Sequence, residues 1–157
     1  AFFTQNKDIT YLEDEAAKYK KFNIYGTPWI PEIGPWAFTY ENEEQEKSIF
    51  EKIPMNTDVL ITHTPPKGIR DIYPMKHFEE DLETSQMMKS YIFTSMGSER
   101  LMERVKEVKP KVHIFGHIHY CYGWEEKDGT VFINASLMNR WSKPVNKPQK
   151  ISILLEE

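Results

Sequence analysis

Residues 111–123 read KVHIFGHIHYCYG, and this stretch predicts both the fold and the position of a site. Its first part is a compact apolar run that ends at Gly116, a pattern typical of a buried strand. Three of the chain's five histidines stand within seven residues, at 113, 117 and 119. His113 lies inside the predicted strand, where a core histidine held by a hydrogen bond is the better interpretation. His117 and His119 follow the strand, so we expect the turn to present them together.

The segment NTDVLITHTPPKG, residues 56–68, has the same arrangement. Residues 58–62 form a short buried-strand pattern, His63 follows at its carboxyl end, and two prolines force a turn. In an open α/β sheet, ligands bind beyond the carboxyl ends of the strands. We therefore expect His63 to lie at the same edge of the sheet as His117 and His119.

The other predicted elements alternate between strands and helices. Apolar residues at helical spacing predict helices behind an acidic first turn and behind a serine N-cap, and an Asp-Gly pair predicts a hairpin turn. The predicted elements are strands over 22–30, 58–62, 111–116 and 150–156, helices over 41–53 and 98–108, and a hairpin over 121–136. This order predicts a single α/β domain over residues 1–157, with a mixed sheet.

Three segments have less regular patterns. Residues 1–21 are expected to be irregular or helical, and residues 31–40 to form an ordered loop packed by its aromatic rings. The segment from Arg70 to Gly97 is charged and rich in methionine. We expect it to be partly helical and partly exposed, with His77 exposed within it.

Composition restricts the class of protein. The 157 residues are 39% apolar and 28% charged, with a formal net charge of −4. This balance argues against a surface that holds a nucleic-acid polymer through its phosphates. No apolar run approaches the roughly 20 residues that span a bilayer, and the single cysteine, Cys121, excludes an internal disulfide. We expect a cytoplasmic protein without a membrane partner.

The spacing of His117 and His119 favours a site for two metal ions. On an extended backbone, residues i and i+2 project to the same side, about 6–7 Å apart. That separation is wide for one ion but suits two ions about 3.5–4 Å apart. Imidazole is a common ligand of zinc, iron and manganese. A single structural ion held by His63 and this pair is a weaker alternative, and Cys121 fits a small buried thiol better than a ligand.

The aromatic residues have two open interpretations, packing and stacking on a nucleobase. Packing under the long loops is favoured for most of them, and the two interpretations are balanced for Trp29 and Trp36 only. The set consists of Trp29, Trp36, Phe38, Tyr40, Trp124 and Trp141.

The motifs THTPP, VHIFGHIH and FINAS, in this order, resemble the C-terminal half of the calcineurin-like metallophosphoesterases. The segments IYGTPW, GPWAF, LITHTPPKGIRD and HIFGHIHYCYG are most similar to the MPPED-type (metallophosphoesterase-domain-containing) family. The likeness runs from about Phe22 onward and is poorest over residues 75–98, which are longer than the family usually needs. It implies the C-terminal part of a four-layer α/β/β/α sandwich with a mixed sheet.

The resemblance also implies an activity, a metal-dependent hydrolysis of phosphodiesters. Two divalent ions (manganese, iron, zinc or magnesium) would activate water against a small phosphodiester such as a cyclic nucleotide. His63 and His117 would bind one ion, and His119 would bind the other. Trp29 and Trp36 are candidate substrate-binding residues, and so is Asn134 in the FINAS motif.

The remaining ligands of such a family site would come from D-x-H, G-D and G-N-H motifs, none of which occurs in this chain. The histidine of G-N-H would assist the leaving group, so we assign no catalytic residue here, and Asp14 lacks the required context. We expect a partner that supplies the rest, either the N-terminal half of the same domain or a complementary chain. The alternative is a binding or scaffold module that keeps the fold without catalysis. The oligomeric state is left open.

Overall fold

The computed structural model describes residues 9–81 and 86–153, and for residues 76–81 and 86–90 it describes the backbone alone. The described strands are β1 (Glu15–Tyr19), β2 (Phe22–Thr27), β3 (Ile30–Pro31), β4 (Thr39–Tyr40), β5 (Val59–Thr62), β6 (Ile72–Asp81), β7 (Gln86–Ser95), β8 (Val112–Phe115), β9 (Gly123–Lys127) and β10 (Thr130–Asn134). The described helices are α1 (Glu43–Phe50) and α2 (Glu99–Val108), and His119–Cys121 form one 3-10 turn.

A six-stranded mixed sheet in the order β1-β2-β5-β8-β10-β9 forms the centre. Its four inner strands are parallel to one another, and β1 and β9 add antiparallel edges. The inner strands VLIT and VHIF are short and apolar, as expected where a parallel sheet is buried. Because these strands run in one direction, their carboxyl ends lie at one edge of the sheet, where His63 and Gly116 follow.

Both helices cover one face of this sheet, and each begins at a side-chain cap. Asn42 caps α1 by accepting a hydrogen bond from the Gln45 amide at 3.0 Å, and Ser98 caps α2 by accepting one from the Leu101 amide at 2.9 Å. The buried core on this face consists of Tyr25, Tyr40, Ile49, Phe50, Ile53, Leu60, Ile69, Leu101, Val105, Val108, Phe115 and Phe132. In the described parts of the chain no helix has the length and apolar character needed to cross a membrane.

The opposite face of the sheet carries a smaller apolar cluster. Val59, Val112 and Ile133 are buried there, and further aliphatic side chains pack against them while staying partly exposed. Alternation along β5 places Ile61 on the same face as Val59, and Ile61 remains 39% exposed. Among the described residues, this face is therefore covered less completely than the face under the helices.

The structure confirms the central elements predicted from the sequence. Strands occur within residues 22–30, 58–62 and 111–116, and helices within 41–53 and 98–108. The hairpin over 121–136 also forms, and its turn residues Asp128 and Gly129 both have positive φ, at 52° and 81°.

Three predictions outside this centre are wrong. Residues 15–19, expected to be irregular or helical, form the edge strand β1. The segment 70–97, expected to be partly helical, forms the long hairpin of β6 and β7, in which the side chain of His77 is outside the described part. Residues 151–153 are not in a strand, although one was predicted over 150–156, and the remainder of that segment lies outside the described residues.

Hydrogen bonds between residues distant in the sequence explain why this segment forms a hairpin. Asp71, fully buried, accepts hydrogen bonds from the backbone amides of Gly68 and Gly97 at 2.9 and 3.1 Å and from the hydroxyl of Ser95. These bonds hold the two strands together where the hairpin begins. The run YIFT in β7 also has the β-branched and aromatic residues that favour a strand over the helix formers before it.

Candidate metal centre

The structure brings His63 and His117 together at the carboxyl edge of the sheet. His63 follows β5, and His117 follows β8, its hydrogen-bonded neighbour. The amide of Gly116 donates to the carbonyl oxygen of His63 at 3.1 Å, which ties the two loops to each other. The imidazole rings of His63 and His117 have their centroids 5.1 Å apart, with an angle of 60° between the ring planes.

His119 is oriented by the chain that follows β10. Its Nδ1 lies 3.1 Å from the carbonyl oxygen of Asn139. Because a carbonyl oxygen can only accept, Nδ1 donates this bond, and a metal ion could bind the ring only through Nε2. Histidines that bind metals are commonly fixed in this way by a backbone carbonyl.

Partial desolvation favours the neutral form of the first two histidines. Desolvation first, and then repulsion from His63 and His119, together lower the pKa of His117 to about 4. The pKa of His63 is lowered in the same direction, first by burial and then by the charge of His119. At neutral pH these imidazoles therefore have free lone pairs, which metal binding requires.

The backbone between the two histidines of the pair is not extended, so the geometric premise of the sequence prediction is wrong there. His117 has φ of 62°, in the left-handed region, and His119 begins a 3-10 turn. Between them Ile118 is buried, and its amide donates to the carbonyl oxygen of Gly116 at 2.7 Å. The chain therefore curls around a buried isoleucine. Such strained residues cluster at functional sites.

Asn134, predicted to bind substrate, is fully buried beneath this turn. Its side-chain amide donates to the carbonyl oxygen of Ile118 at 2.9 Å, and its side-chain oxygen accepts from the amide of Ser136 at 3.1 Å. Both ends of the side chain are therefore engaged with the backbone. In this structure Asn134 supports the turn that carries His117 and His119.

Arg70 holds the far end of the same turn. Its Nη1 donates to the carbonyl oxygens of Cys121 and Tyr122 at 3.3 and 3.2 Å, and its Nη2 donates to that of Trp124 at 2.5 Å. One guanidinium group thus satisfies three carbonyl groups, one at the end of the 3-10 turn and two just beyond it. It fixes the direction in which the chain leaves His119.

Gly123 leaves room for the three hydrogen bonds of Arg70, which we call the Arg70 clamp. It has φ of 126°, and a Cβ at this position would lie 2.9 Å from Nη1 of Arg70, which is too close. No role was predicted for Arg70 from the sequence. The signal available was its place in the motif LITHTPPKGIRD, in which it follows His63 by seven residues.

Cys121 is half-buried, and its thiol donates to the carbonyl oxygen of Ile72 at 3.2 Å. Burial raises the pKa of this thiol, which disfavours the thiolate form that binds metals. Cys121 therefore joins the turn after His119 to the start of β6, and its thiol is only partly buried, not buried as predicted.

The two candidate tryptophans differ in their surroundings. The indole Nε1 of Trp29 donates to Asp14 at 3.0 Å, and its ring packs edge-on against Phe38 with centroids 5.9 Å apart. The carboxylate of Asp14 also accepts from the hydroxyl of Thr27 at 2.6 Å. Trp29 therefore helps to join the start of β1 to β2, whereas Trp36 is 66% exposed in the loop between β3 and β4.

The histidines fit part of a divalent-metal site. In the described ranges, no three His, Cys, Asp or Glu side chains are arranged to hold one ion. The resemblance implies fewer histidines on each ion, with His63 and His117 binding one ion and His119 binding another. Neutral imidazoles suit zinc, iron or manganese. Two dications also need carboxylates, so this donor set is suitable but incomplete.

Known proteins similar to this chain include UPF0046 proteins and a metallophosphoesterase domain-containing protein. The chain is 37% identical to a UPF0046 protein of Caenorhabditis elegans over 139 residues, which are 88% of this chain and 31% of that protein. It is 33% identical to Metallophosphoesterase domain-containing protein 1 of Homo sapiens over 144 residues, which are 91% of this chain and 39% of that protein. No protein-family model matches the chain.

A solved crystal structure shares the fold. It superposes with a TM-score of 0.53 and 20% sequence identity, over 85% of this chain and 48% of that one. This likeness supports a mixed α/β fold. The chain spans only 31% to 39% of the length of the two curated relatives described above. By these sequence similarities, which confirm the resemblance of its motifs, the chain belongs to the metallophosphoesterase-domain-containing (MPPED-type) family.

Proposed function

We propose that this chain supplies part of the active site of a metal-dependent phosphoesterase that hydrolyses phosphodiesters. The observation that carries the proposal is the meeting of His63 and His117, whose pKa values are lowered by partial desolvation, beside an oriented His119, at the carboxyl edge of the parallel strands. The printed name of the human relative supports the reaction class.

Each histidine has a distinct role in this proposal. His63 and His117 hold one divalent ion, and His119 holds its neighbour through Nε2. When bound, the ions supply Lewis-acid activation of water and offset the charge on the phosphoryl oxygens. The protein's part is to keep the lone pairs free and oriented, through partial desolvation of two imidazoles and the hydrogen bond of the third to the Asn139 carbonyl.

The rest of the site would come from a complement, either the N-terminal half of the same domain or a complementary chain. Two features support this. Among the described residues, no carboxylate joins two of these histidines in a group that could hold an ion, although two dications need carboxylates. The sheet face that carries Val59 and Ile61 is incompletely covered and could pack a second sheet. Together the two sheets would form the four-layer α/β/β/α sandwich, with a small phosphodiester such as a cyclic nucleotide as the substrate.

A binding or scaffold module that keeps the fold is the second candidate. The same lack of carboxylates around the three histidines favours it. It predicts no hydrolysis with any divalent ion, even when every polypeptide of the native protein is present.

The deciding experiment measures hydrolysis of bis(p-nitrophenyl) phosphate by the intact protein after chelation and reloading with Mn²⁺, Fe²⁺ or Zn²⁺. We expect metal-dependent turnover that falls at least about 100-fold in His117→Ala, because loss of a ligand removes the ion that activates water. His77→Ala, in the β6–β7 hairpin, is the matched control and should keep its turnover. Undiminished turnover of His117→Ala at limiting metal would contradict the ligand assignment. Absence of turnover with every ion would favour the module without catalysis.

A further inference from the structure

A second concave feature lies beside the three histidines and is not explained by them. It is a groove of about 810 Å³ between the start of the β6–β7 hairpin, the turn after β8 and the loop after β10. This volume falls in the range of small-molecule pockets. We call it the aromatic groove, and its principal lining residues are Tyr73, Met75, Phe93, Tyr120, Arg140 and Trp141.

The aromatic groove offers several ring surfaces. Tyr73 and Tyr120 pack edge-on with centroids 5.3 Å apart and form one wall. Phe93 is 70% exposed and Trp141 is 64% exposed. Large rings exposed together in a concavity mark a site for another apolar or aromatic group, because their burial is favourable.

The charge of the aromatic groove favours an anionic ligand. The guanidinium of Arg140 lies 3.9 Å from the centroid of the Trp141 ring, in a cation–π arrangement. Among the described residues that line the groove, none is acidic. A guanidinium supported on an indole is therefore available for a phosphate, next to faces on which a flat ring can stack.

The aromatic groove adjoins the histidine site along the chain at two points. Tyr120 directly follows His119 in the chain. Asn139, which accepts the hydrogen bond of the His119 ring at 3.1 Å, directly precedes Arg140. A ligand with its phosphate at the histidines can therefore extend its organic part into the groove.

We propose that the aromatic groove binds the flat aromatic part of the group that stays on phosphorus, so that the substrates are phosphodiesters in which this group is an aryl or a nucleoside. This proposal rests on the proposed phosphoesterase function and adds a specificity site to it. The hairpin that forms one wall lies in the segment where this chain matches its family least. The groove is therefore a feature through which this chain would select its own substrates.

The test compares two diesters with the same leaving group, thymidine 5′-(p-nitrophenyl phosphate) and methyl p-nitrophenyl phosphate, on the intact metal-loaded protein. We expect kcat/KM for the thymidine diester to exceed that for the methyl diester by about tenfold, as stacking of one base allows. In Trp141→Ala the ratio should fall towards one. Trp141→Phe should keep most of it, because the aromatic plane is restored.

Trp124→Ala is the matched control for these variants. Trp124 is exposed to a similar degree, 59%, but lies on the edge strand β9 outside the aromatic groove. In Trp124→Ala the ratio of kcat/KM for the thymidine diester to that for the methyl diester should equal the ratio in the unmodified protein. Equal ratios in the unmodified protein and Trp141→Ala would overturn the proposal, and so would a ratio near one in the unmodified protein.

A separate measurement distinguishes failure of the groove from failure of the phosphoesterase function. If neither diester is hydrolysed, the proposed function fails, and binding then decides the role of the groove alone. Calorimetry of the same protein with adenosine 5′-monophosphate and ribose 5-phosphate should give a dissociation constant about tenfold lower for the aromatic ligand, and Trp141→Ala should remove this difference. Equal affinities for the two ligands would overturn the groove proposal.

Discussion

At the residue scale, the orientation of the histidines depends on other side chains that hold the backbone around them. Arg70 contacts no histidine ring in the described contacts, yet it binds three carbonyl oxygens just beyond His119. Asn134 supports the same turn from below through Ile118. These two residues hold the strained backbone at His117, whose φ of 62° an unsupported chain would seldom adopt.

We predict that Arg70→Ala weakens divalent-metal binding by about 10- to 100-fold, the usual effect of losing an outer-shell support. The turn would lose its clamp, and its histidines would sample other orientations. The measurement is a titration of the intact protein with Zn²⁺ by calorimetry, with circular dichroism to verify folding. Arg100→Ala, which breaks surface ion pairs with Glu43 and Glu103, is the control and should bind metal normally. Equal affinity in Arg70→Ala would show that the clamp is irrelevant to the site.

His113 makes stability depend on pH. It is fully buried, and its Nε2–H donates to the hydroxyl oxygen of Thr62 at 2.9 Å, since that hydroxyl itself donates to the carbonyl oxygen of Thr64. Burial lowers the pKa of His113 to about 3. Between pH 6.5 and about 3 the unfolded chain therefore binds a proton that the folded chain does not, and the free energy of unfolding falls as the pH falls.

The check is urea denaturation of His113→Gln beside the unmodified protein at several pH values. Between pH 4 and 6 the slope of unfolding free energy against pH should be smaller in the variant. The difference should correspond to the uptake of up to about one proton on unfolding. Above pH 7 neither protein should show a contribution from this residue. The difference between the two proteins isolates His113 from His63 and His117, whose pKa values are lowered in the same direction. Identical slopes would contradict the burial of a neutral imidazole.

At the element scale, the two helices are joined by one buried hydrogen-bonded group. Glu46 of α1 accepts from the hydroxyl of Tyr40 at 2.9 Å and from that of Ser98 at 2.6 Å. Ser98 is also the N-cap of α2. The carboxylate of one helix thus orients the cap of the next, and the two helices cover the sheet as a pair.

Ser98→Ala should therefore destabilise the protein by about 2–3 kcal/mol, more than a cap alone, since it also leaves the buried Glu46 carboxylate short of a donor. Asn42→Ala, which removes the exposed cap of α1, should cost only about 1 kcal/mol. Thermal or urea unfolding of the two variants measures both values. Equal losses in the two variants would argue against the buried link between the helices.

The elements that the sequence predicts well are those whose stability is local. The strand patterns that end at His63 and at Gly116 carry their own turn residues, and α2 carries its cap and its apolar stripe. The β6–β7 hairpin is different, because buried Asp71 joins it through bonds to residues 24 to 26 positions further along the chain. Helical periodicity contains no information about such contacts.

At the scale of the whole molecule, the position of the site follows from the direction of the strands. Parallel β5 and β8 are neighbours, so the loops after them must meet, and this much could be predicted from two motifs. The left-handed turn at His117 and the hydrogen bonds of Arg70 could not be predicted in this way. The turn depends on the burial of Ile118, and Arg70 binds carbonyl groups more than 50 residues away in the sequence. The aromatic groove was also missed, since one of its walls is the mispredicted hairpin.

The sheet face opposite the helices is also a feature of the whole molecule, because its apolar side chains are only partly covered. Aliphatic side chains on this face, Ile24, Ile114 and Val131 among them, are only partly buried. In the proposed enzyme a complementary sheet covers them and delivers the missing carboxylates. The apolar face and the incomplete ligand set would then have one common explanation.

Calorimetry with Zn²⁺ and Mn²⁺ should decide whether the three histidines serve two ions, by giving the number and affinity of divalent ions bound by the intact protein and by its histidine variants. We expect His63→Ala and His117→Ala each to weaken binding of the same ion by at least about tenfold, and His119→Ala to weaken binding of a different one. Unchanged stoichiometry and affinity in all three variants would contradict this expectation.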